Sequence, residues 1–234
     1  MRSLSVTAAI GLCVLVQSAA AQGRQLPESV NCERDPIRPD EVWEQTEAHC
    51  LGLLPGIAAR AGDILRLKLD SGETRTFQNV QKGCDSEPFV FEQCFVFTLE
   101  AFFQIANSFV VHKGYMECGY YILVDRQTGA ELKLDTMPVY SPGGSWLVSV
   151  NADELCGRPY DIAIWSAASP PQPEFQYAQA KDQPYEVWEF IAWDGEDGIK
   201  LKAQVFDGKG GAETYHAEAV RTAQGWQLKR PWVK

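Results

Sequence analysis

Two histidines have the chemistry that a general base requires. His112 follows the apolar residues 109–111, and His216 stands two residues before Glu218. In an extended strand the last two side chains would share a face, where the carboxylate could orient the imidazole. The sequence places no nucleophile beside either histidine, and a polar histidine on the solvent side of a strand is the alternative interpretation. Hydrolysis through His112 or His216 is therefore one hypothesis.

Two further segments carry polar groups between glycines. Ser145 follows Gly143-Gly144, but the segment lacks the closing glycine of a G-x-S-x-G nucleophile turn and leads into an apolar strand. Asp194, Glu196 and Asp197 offer the oxygen ligands that Ca²⁺ takes, yet three acids alone leave its coordination incomplete. The three histidines are scattered, and no C-x₂-C pair occurs. The sequence therefore predicts no catalytic residue, no metal site and no cofactor.

Tryptophan is the other residue type that suggests binding. Several stand late in the chain, at Trp188, Trp193, Trp226 and Trp232, where a flat indole could meet a sugar or a protein partner. Because each indole also buries a large apolar area, the favoured interpretation is that those at strand positions fill a core or the seams between sheets.

The cysteines predict covalent crosslinks. Six of them follow the first 21 residues: Cys32, Cys50, Cys84, Cys94, Cys118 and Cys156. An oxidising compartment would pair them all, and six thiols allow fifteen pairings. We expect Cys84 to pair with Cys94 across a turn at residues 86–88. Cys32 with Cys50 and Cys118 with Cys156 are the remaining expected pairs.

The N-terminus has the three parts of a secretory signal peptide. Arg2 supplies a basic start, residues 6–16 are apolar, and Ala19-Ala20-Ala21 ends the segment before Gln22. The apolar run is shorter than a membrane span requires, and no later stretch reaches that length. We therefore predict a signal peptide at residues 1–21 and a periplasmic or secreted protein without a membrane span.

The charge balance limits the class of partner. The chain of 234 residues carries a formal net charge of −10. A surface this acidic repels phosphate backbones, which argues against nucleic acid, and it favours solubility. It could also attract basic proteins by long-range steering. An acidic inhibitor of a basic enzyme is therefore a further hypothesis.

Hydrophobic alternation predicts antiparallel β-hairpins as the elements that position these groups. Residues 64–69 alternate, with Leu65, Leu67 and Leu69 on the face expected to be buried. Strand–turn–strand units recur over residues 120–134, 139–148, 160–177, 190–201 and 203–228. We predict an N-terminal arm with a short helix over residues 22–59, the helix opening near Pro39 and ending at Gly52, and a single all-β domain over residues 60–234.

Two turns and one spacing resemble a known architecture. Tyr120 and Tyr160 lie 40 residues apart, the length of a four-stranded propeller blade. Tyr140-Ser141-Pro142-Gly143-Gly144 before an apolar strand resembles the S-P-D-G turn of WD-repeat and Tol-associated periplasmic propellers, although Gly143 stands where those proteins usually have aspartate. Residues 125–129 are similar to their later strand-linking turn. The chain also resembles secreted bacterial proteins of no established activity that carry such hairpins.

This resemblance implies a small propeller, or a propeller-like assembly of four or five blades, and it implies no chemistry. A β-sandwich is the alternative, because short strands separated by regular turns fit both folds. Together these observations favour a soluble, non-enzymatic extracytoplasmic module that binds an unidentified protein or small ligand through its loops. A histidine and a carboxylate meeting in one pocket would favour the hydrolase instead.

Overall fold

The computed structural model of the chain describes residues 29–31, 43–84, 87, 90, 93–115, 118–151, 156, 159–180, 183–208 and 210–231. The predicted signal peptide, Cys32 and Trp232 lie outside these residues.

The described part of the chain is mostly β-strand, with a single α-helix. The helix α1 spans Trp43–Leu53, close to the predicted position, and a 3₁₀ turn spans Gln104–Ala106. The strands are β1 Ser29–Asn31, β2 Ala58–Ala61, β3 Ile64–Lys68, β4 Thr74–Gln78, β5 Val96–Phe103, β6 Ser108–Tyr115, β7 Cys118–Asp125, β8 Glu131–Leu134, β9 Val139–Tyr140, β10 Trp146–Val150, β11 Ile162–Ser166, β12 Gln172–Tyr177, β13 Glu186–Trp193, β14 Gly198–Phe206, β15 Ala212–Thr222 and β16 Gly225–Lys229.

These strands form four antiparallel sheets, which confirms the all-β fold class. Their orders are β2-β3-β4, β1-β5-β6-β7-β8, β12-β11-β10-β9 and β13-β14-β15-β16, and none of these described sheets closes on itself. The strands from β5 onward make three consecutive four-stranded meanders. Tyr120 lies on β7, the third strand of its meander, and Tyr160 lies two residues before β11, the third strand of the next meander. The spacing of 40 residues therefore separates corresponding parts of two consecutive meanders.

Neighbouring sheets pack face to face through three hydrophobic clusters. The first cluster joins α1 and β2–β4 to the five-stranded sheet, and it includes Leu65, Leu67 and Leu69, whose predicted burial is confirmed. The second joins the five-stranded sheet to β9–β12, and the third joins β9–β12 to β13–β16. Each fully buried leucine contributes about 1.5–3 kcal/mol of hydrophobic stabilisation. The sheets therefore pack in series, in chain order.

The N-terminal segment is part of this packing. β1 pairs with β5, and the predicted boundary at residue 60 falls inside β2. Glu47 on α1 is buried, and its carboxylate accepts hydrogen bonds from Arg60 at 2.5 and 2.7 Å and from the Leu99 amide at 2.7 Å. This buried ion pair ties the helix to β2 and β5.

One predicted division is wrong in detail. Residues 198–201 and 203–206 were expected in separate units, but β14 runs unbroken from Gly198 to Phe206. Ile199, Leu201 and Ala203 are all buried on one face, so the alternation continues through Lys202.

Disulfides join segments at two places, as predicted. Cys84 is bonded to Cys94, and Cys118 at the start of β7 is bonded to Cys156 in the segment between β10 and β11. The second bond links two neighbouring sheets. Cys50 is also disulfide-bonded, and its predicted partner Cys32 lies outside the described residues. Among the helices of the described residues, none is long and apolar enough to cross a membrane.

Candidate functional site

One end of the four sheets carries a row of turns that contact one another. Strands within each meander are antiparallel, so every second turn lies at the same end. We call this row the turn edge. It comprises residues 69–73, 104–107, 125–130, 141–145, 166–171 and 194–197.

The first two sheets meet at the turn edge through Asp70, Asn107 and Arg126. Arg126 Nη1 lies 2.9 Å from Asp70 Oδ1, and its Nε donates to the carbonyl of Lys68 at 3.1 Å. Asn107 has a left-handed backbone with φ of 46° and donates from Nδ2 to Asp70 Oδ2 at 2.6 Å. Asparagine adopts this conformation more readily than most residues. These contacts hold the β3–β4 turn against the next sheet.

Asp125 makes the second junction. It is 5% exposed, and its Oδ1 accepts the amides of Gln127 and Thr128 at 2.8 and 2.9 Å, which closes the turn after β7. Its Oδ2 accepts the hydroxyl of Ser169 from the next sheet. Burial raises the pKa of the nearby Tyr140 phenol, so that group stays protonated. The junction therefore holds the second and third sheets together.

Glu196 makes the third junction, from the last sheet to the turn before β10. Its Oε1 accepts the Ser141 hydroxyl at 2.6 Å and the Ser145 amide at 3.0 Å, and its Oε2 accepts the Gly143 amide at 2.7 Å. Burial raises the pKa of this carboxyl, but these hydrogen bonds outweigh burial and lower the pKa to about 2. The carboxylate is ionised at neutral pH, and both of its oxygens accept hydrogen bonds from the neighbouring turn.

This geometry accounts for the glycine at position 143. A Cβ added there would stand 2.8 Å from Glu196 Oε2, closer than such atoms approach in proteins. The turn thus receives its carboxylate from a neighbouring sheet rather than from its own third residue. Ser145 contributes to this junction through both its backbone amide and its side chain.

The acidic turn does not gather its carboxylates around one point. Asp194 pairs with Lys200 at 3.4 Å and Asp197 with Arg221 at 3.7 Å, while Glu196 binds the neighbouring turn. No group of three or more potential metal ligands occurs within the described ranges. The oxygen arrangement that Ca²⁺ requires is therefore not assembled by these three acids.

A cleft of about 730 Å³ lies on the outer face of the last sheet. Its lining combines apolar Ile191, Ala217 and Pro231 with charged groups from β14, β15, β16 and Arg230. The strand register places Lys200 opposite Glu218 and Glu218 opposite Lys229, so three charged side chains form a row across three strands.

His216 and Glu218 both line this cleft, as their shared strand face predicts. The His216 ring makes no hydrogen bond to any described residue. The described lining of the cleft contains no serine, threonine or cysteine. The meeting of a histidine and a carboxylate that the hydrolase hypothesis requires is therefore present, but the imidazole is not oriented by a hydrogen bond and the described lining offers no hydroxyl or thiol nucleophile.

His112 lies elsewhere, on β6 of the five-stranded sheet. Its ring centroid is 4.8 Å from that of Tyr121, and a side chain at Gly119 would clash with it. The imidazole therefore packs over the β6–β7 hairpin, where glycine leaves room for it.

The late tryptophans lie mainly in the seam between the last two sheets. Trp188 is fully buried and Trp226 is 6% exposed. The Trp226 ring lies 5.8 Å from that of Trp146 and 6.3 Å from that of Trp193. These rings pack together as core residues.

Arg230 is anchored by a buried network in the seam between the last two sheets. Its Nη1 donates to the Tyr177 hydroxyl at 2.6 Å, to Gln183 at 3.2 Å and to Glu186 at 3.3 Å. Glu186 is 3% exposed and also accepts the Tyr177 hydroxyl at 2.8 Å. Burial raises the pKa of Tyr177, and its hydrogen bond to Glu186 raises it further. The network fixes a cation beside the cleft.

No protein-family model matches the chain, and neither a curated protein nor a solved structure gives a significant match. The propeller resemblance therefore stays a prediction.

The sequence indicated His216 and Glu218 as candidate site residues, but it did not indicate Lys200, Lys229 or Arg230. Alternation on β14 and β16 marks the two lysines as outward-facing. Their meeting in one row depends on strand register, which no single segment reveals.

Proposed function

We propose that the protein is a non-enzymatic, extracytoplasmic binding module whose binding site is the cleft on β13–β16. The observation that carries the proposal is the cleft itself, which combines exposed apolar surface at Ile191 with charged side chains. Its volume of about 730 Å³ falls within the range of known ligand clefts. The other candidate groups from the sequence already serve internal contacts.

The scaffold behind the cleft supports binding without large rearrangement. Turn-edge hydrogen bonds join all four sheets in series, and a disulfide crosslinks the middle two. Rigid sites lose less conformational entropy when a ligand binds. Disulfides are also typical of exported proteins, which supports a periplasmic or secreted location.

The experiment compares two exposed apolar residues. Ile191 in the cleft is 44% exposed, and Leu53 at the end of α1 is 45% exposed. Immobilised wild-type protein is incubated with envelope extract, and bound proteins and small molecules are identified by mass spectrometry. We expect Ile191→Glu to lose the captured partner and Leu53→Glu to keep it. Equal capture by both variants would remove the cleft from the proposal.

Hydrolysis is the second candidate, because His216 and Glu218 line the same cleft. The described lining has no hydroxyl or thiol nucleophile, so the simplest route is a water activated by one of these groups. Wild type and His216→Ala are assayed against a panel of chromogenic esters and glycosides. We expect no turnover above the variant's background, and turnover that depends on His216 would favour the hydrolase.

The acidic-inhibitor hypothesis uses the net charge of −10 rather than the cleft. It predicts that the protein slows a basic lysozyme at low salt, where charge attraction is strongest. We expect no inhibition.

We further propose that the sheets form an open, propeller-like assembly. The support is the series of meanders, each packed on the next. A binding cleft on β13–β16 requires that its outer face stay uncovered. An experimental structure with the outer faces of β2–β4 and β13–β16 packed together would instead show a closed ring.

A further inference from the structure

Two lysines rest on aromatic rings on one face of the five-stranded sheet. The strand registers place Lys113 on β6 between Phe97 and Tyr120. Its Nζ lies 3.8 Å from the ring centroid of Phe95, 5.6 Å from that of Phe97 and 5.8 Å from that of Tyr120. Lys133 on β8 reaches the same tyrosine, with its Nζ 4.2 Å from the ring centroid. The two amines therefore share the Tyr120 ring.

Neither of these lysines has a counter-charge. Lys113 and Lys133 form no ion pair or hydrogen bond with any residue that the structure describes. On the last sheet, by contrast, Lys200, Lys202 and Lys229 lie 3.4, 2.5 and 3.9 Å from carboxylate oxygens. Ring faces attract an ammonium group, but they do not supply the hydrogen bonds that water would. Because Lys113 is half-buried, its ammonium form loses part of its hydration without gaining an anionic partner.

This setting favours the neutral amine of Lys113. Burial lowers its pKa below the ordinary 10.5, and the charge of Lys133 lowers it further. Burial also raises the pKa of the Tyr120 phenol, and Tyr115 and Glu131 raise it further, so the phenol stays protonated at neutral pH and brings no negative charge to Lys113. Only the neutral amine is a nucleophile, and burial or an adjacent cation is how proteins activate a lysine.

Lys133 is suited to a different task. Its side chain is exposed, and a solvated ammonium on a flexible stem is a compact charge with three hydrogen-bond donors. A carboxylate on a ligand would pair with it while a carbonyl of the same molecule faces Lys113. Such an anion would also relieve the repulsion between the two amines.

We infer that Lys113 is a covalent capture site for aldehydes that also carry a carboxylate, with Lys133 binding the carboxylate. The neutral Nζ of Lys113 attacks the aldehyde carbon, and a C–N bond forms. The carbonyl oxygen leaves as water with the two amine protons, and an imine remains. No oxidant or reductant is needed, and hydrolysis reverses the step. This site lies on the second sheet, so it is separate from the proposed binding cleft on β13–β16.

The test compares two lysines within one sample of the oxidised wild-type protein. Glyoxylate is the probe, and sodium cyanoborohydride reduces each imine to a stable secondary amine whose position is read by mass spectrometry of proteolytic peptides. Lys202, which lies 2.5 Å from Glu189, is the internal reference. We expect labelling at pH 8 to be at least about threefold faster at Lys113, since a lowered pKa increases the neutral fraction. Equal or slower labelling of Lys113 would overturn the inference.

A second probe tests the carboxylate. Glycolaldehyde has the same two-carbon length as glyoxylate but no negative charge. The ratio of glyoxylate to glycolaldehyde labelling at Lys113 is divided by the same ratio at Lys202, which cancels the different reactivities of the probes. We expect a quotient above about two at low salt, falling towards one in 500 mM salt, as for an exposed charge pair. A quotient of one at low salt would show that Lys133 does not bind the carboxylate.

Variants of Lys133 separate its charge from its packing. Lys133→Gln removes the like charge, so labelling of Lys113 at pH 8 should slow by about twofold or more, and its pH profile should move upward. Lys133→Arg keeps the charge and should keep both the rate and the preference for glyoxylate. Lys229→Gln removes one charge from the last sheet and should change neither. If Lys133→Gln and Lys229→Gln behave alike, Lys133 does not activate Lys113.

Unfolded protein supplies the last control, and it needs no variant. In 8 M urea the rings and Lys133 no longer surround Lys113, so Lys113 and Lys202 should be labelled at equal rates. If Lys113 remains faster in the unfolded chain, its neighbours in the sequence rather than the fold cause its reactivity, and the inference is wrong.

Discussion

Replacing Glu196 with glutamine tests how the last two sheets are held together. The carboxylate is surrounded by donors: the Ser141 hydroxyl, the Gly143 amide, and Ser145 through both its amide and its side chain. Glutamine keeps one acceptor oxygen but places an NH₂ group where the other oxygen stood. That NH₂ would face an N–H donor, so at least one hydrogen bond is lost and another contact becomes repulsive.

The pKa of Glu196 sets the size and pH dependence of the effect. Lowering it from 4.5 to about 2 corresponds to an upper bound of about 3 kcal/mol. Because the carboxylate lies near the surface, solvent screening reduces this to about 1–2 kcal/mol. The folded pKa lies below the unfolded pKa, so the stabilisation is complete above pH 4.5 and is lost as the pH falls towards 2.

Urea unfolding at pH 7, 4 and 2.5 measures both properties. We expect Glu196→Gln to lower the unfolding free energy by about 1–2 kcal/mol at pH 7, with the difference shrinking at acidic pH. Asp194→Asn and Asp197→Asn are matched controls on the same turn, since each loses one exposed ion pair longer than 3.3 Å. Both should change stability by under about 1 kcal/mol. If Glu196→Gln changes the unfolding free energy no more than the controls do, or by the same amount at every pH, Glu196 does not hold the last two sheets together as argued.

Three further changes test other parts of the fold. Gly143→Ala should lower the unfolding free energy of the wild type by about 1 kcal/mol, because the added methyl group displaces the Glu196 carboxylate. In a Glu196→Ala background the same substitution should lower it much less. If urea unfolding shows that the two substitutions have additive effects, this explanation is wrong. Glu47→Gln should cost about 3 kcal/mol because the partly buried Arg60 loses its counter-charge, whereas a thermal midpoint equal to wild type would show that the pair is dispensable. Replacing Cys84 and Cys94 by serine should lower stability by about 2–3 kcal/mol, the chain-entropy effect of a bond between residues 10 apart, with an unchanged circular dichroism spectrum.

The local parts of the fold could be predicted from the sequence because they are determined by residues close together in the chain. Alternation of leucines with charged residues locates β3, and Ser-Pro-Gly-Gly locates the turn before β10. The Cys84–Cys94 pair follows from ten-residue separation across a turn. Each of these features is determined within about a dozen residues.

Long-range contacts could not be predicted from the sequence in the same way. Glu196 reaches a turn more than 50 residues earlier, and Glu47 meets Leu99 across a similar distance. Nothing in the residues around Glu47 distinguishes it from a solvated acid on a polar arm. Such contacts depend on which sheets become neighbours, and that is decided by packing of whole apolar faces.

The acidic composition has two different consequences in this fold. Asp70, Asp125 and Glu196 each accept hydrogen bonds from a neighbouring sheet, so part of the negative charge is committed to holding the turn edge together. On the outer face of the last sheet the charges instead alternate in sign, because Lys200 and Lys229 flank Glu218 across three strands. Net charge therefore describes long-range approach, whereas partner chemistry depends on the charges within a Debye length of the bound ligand.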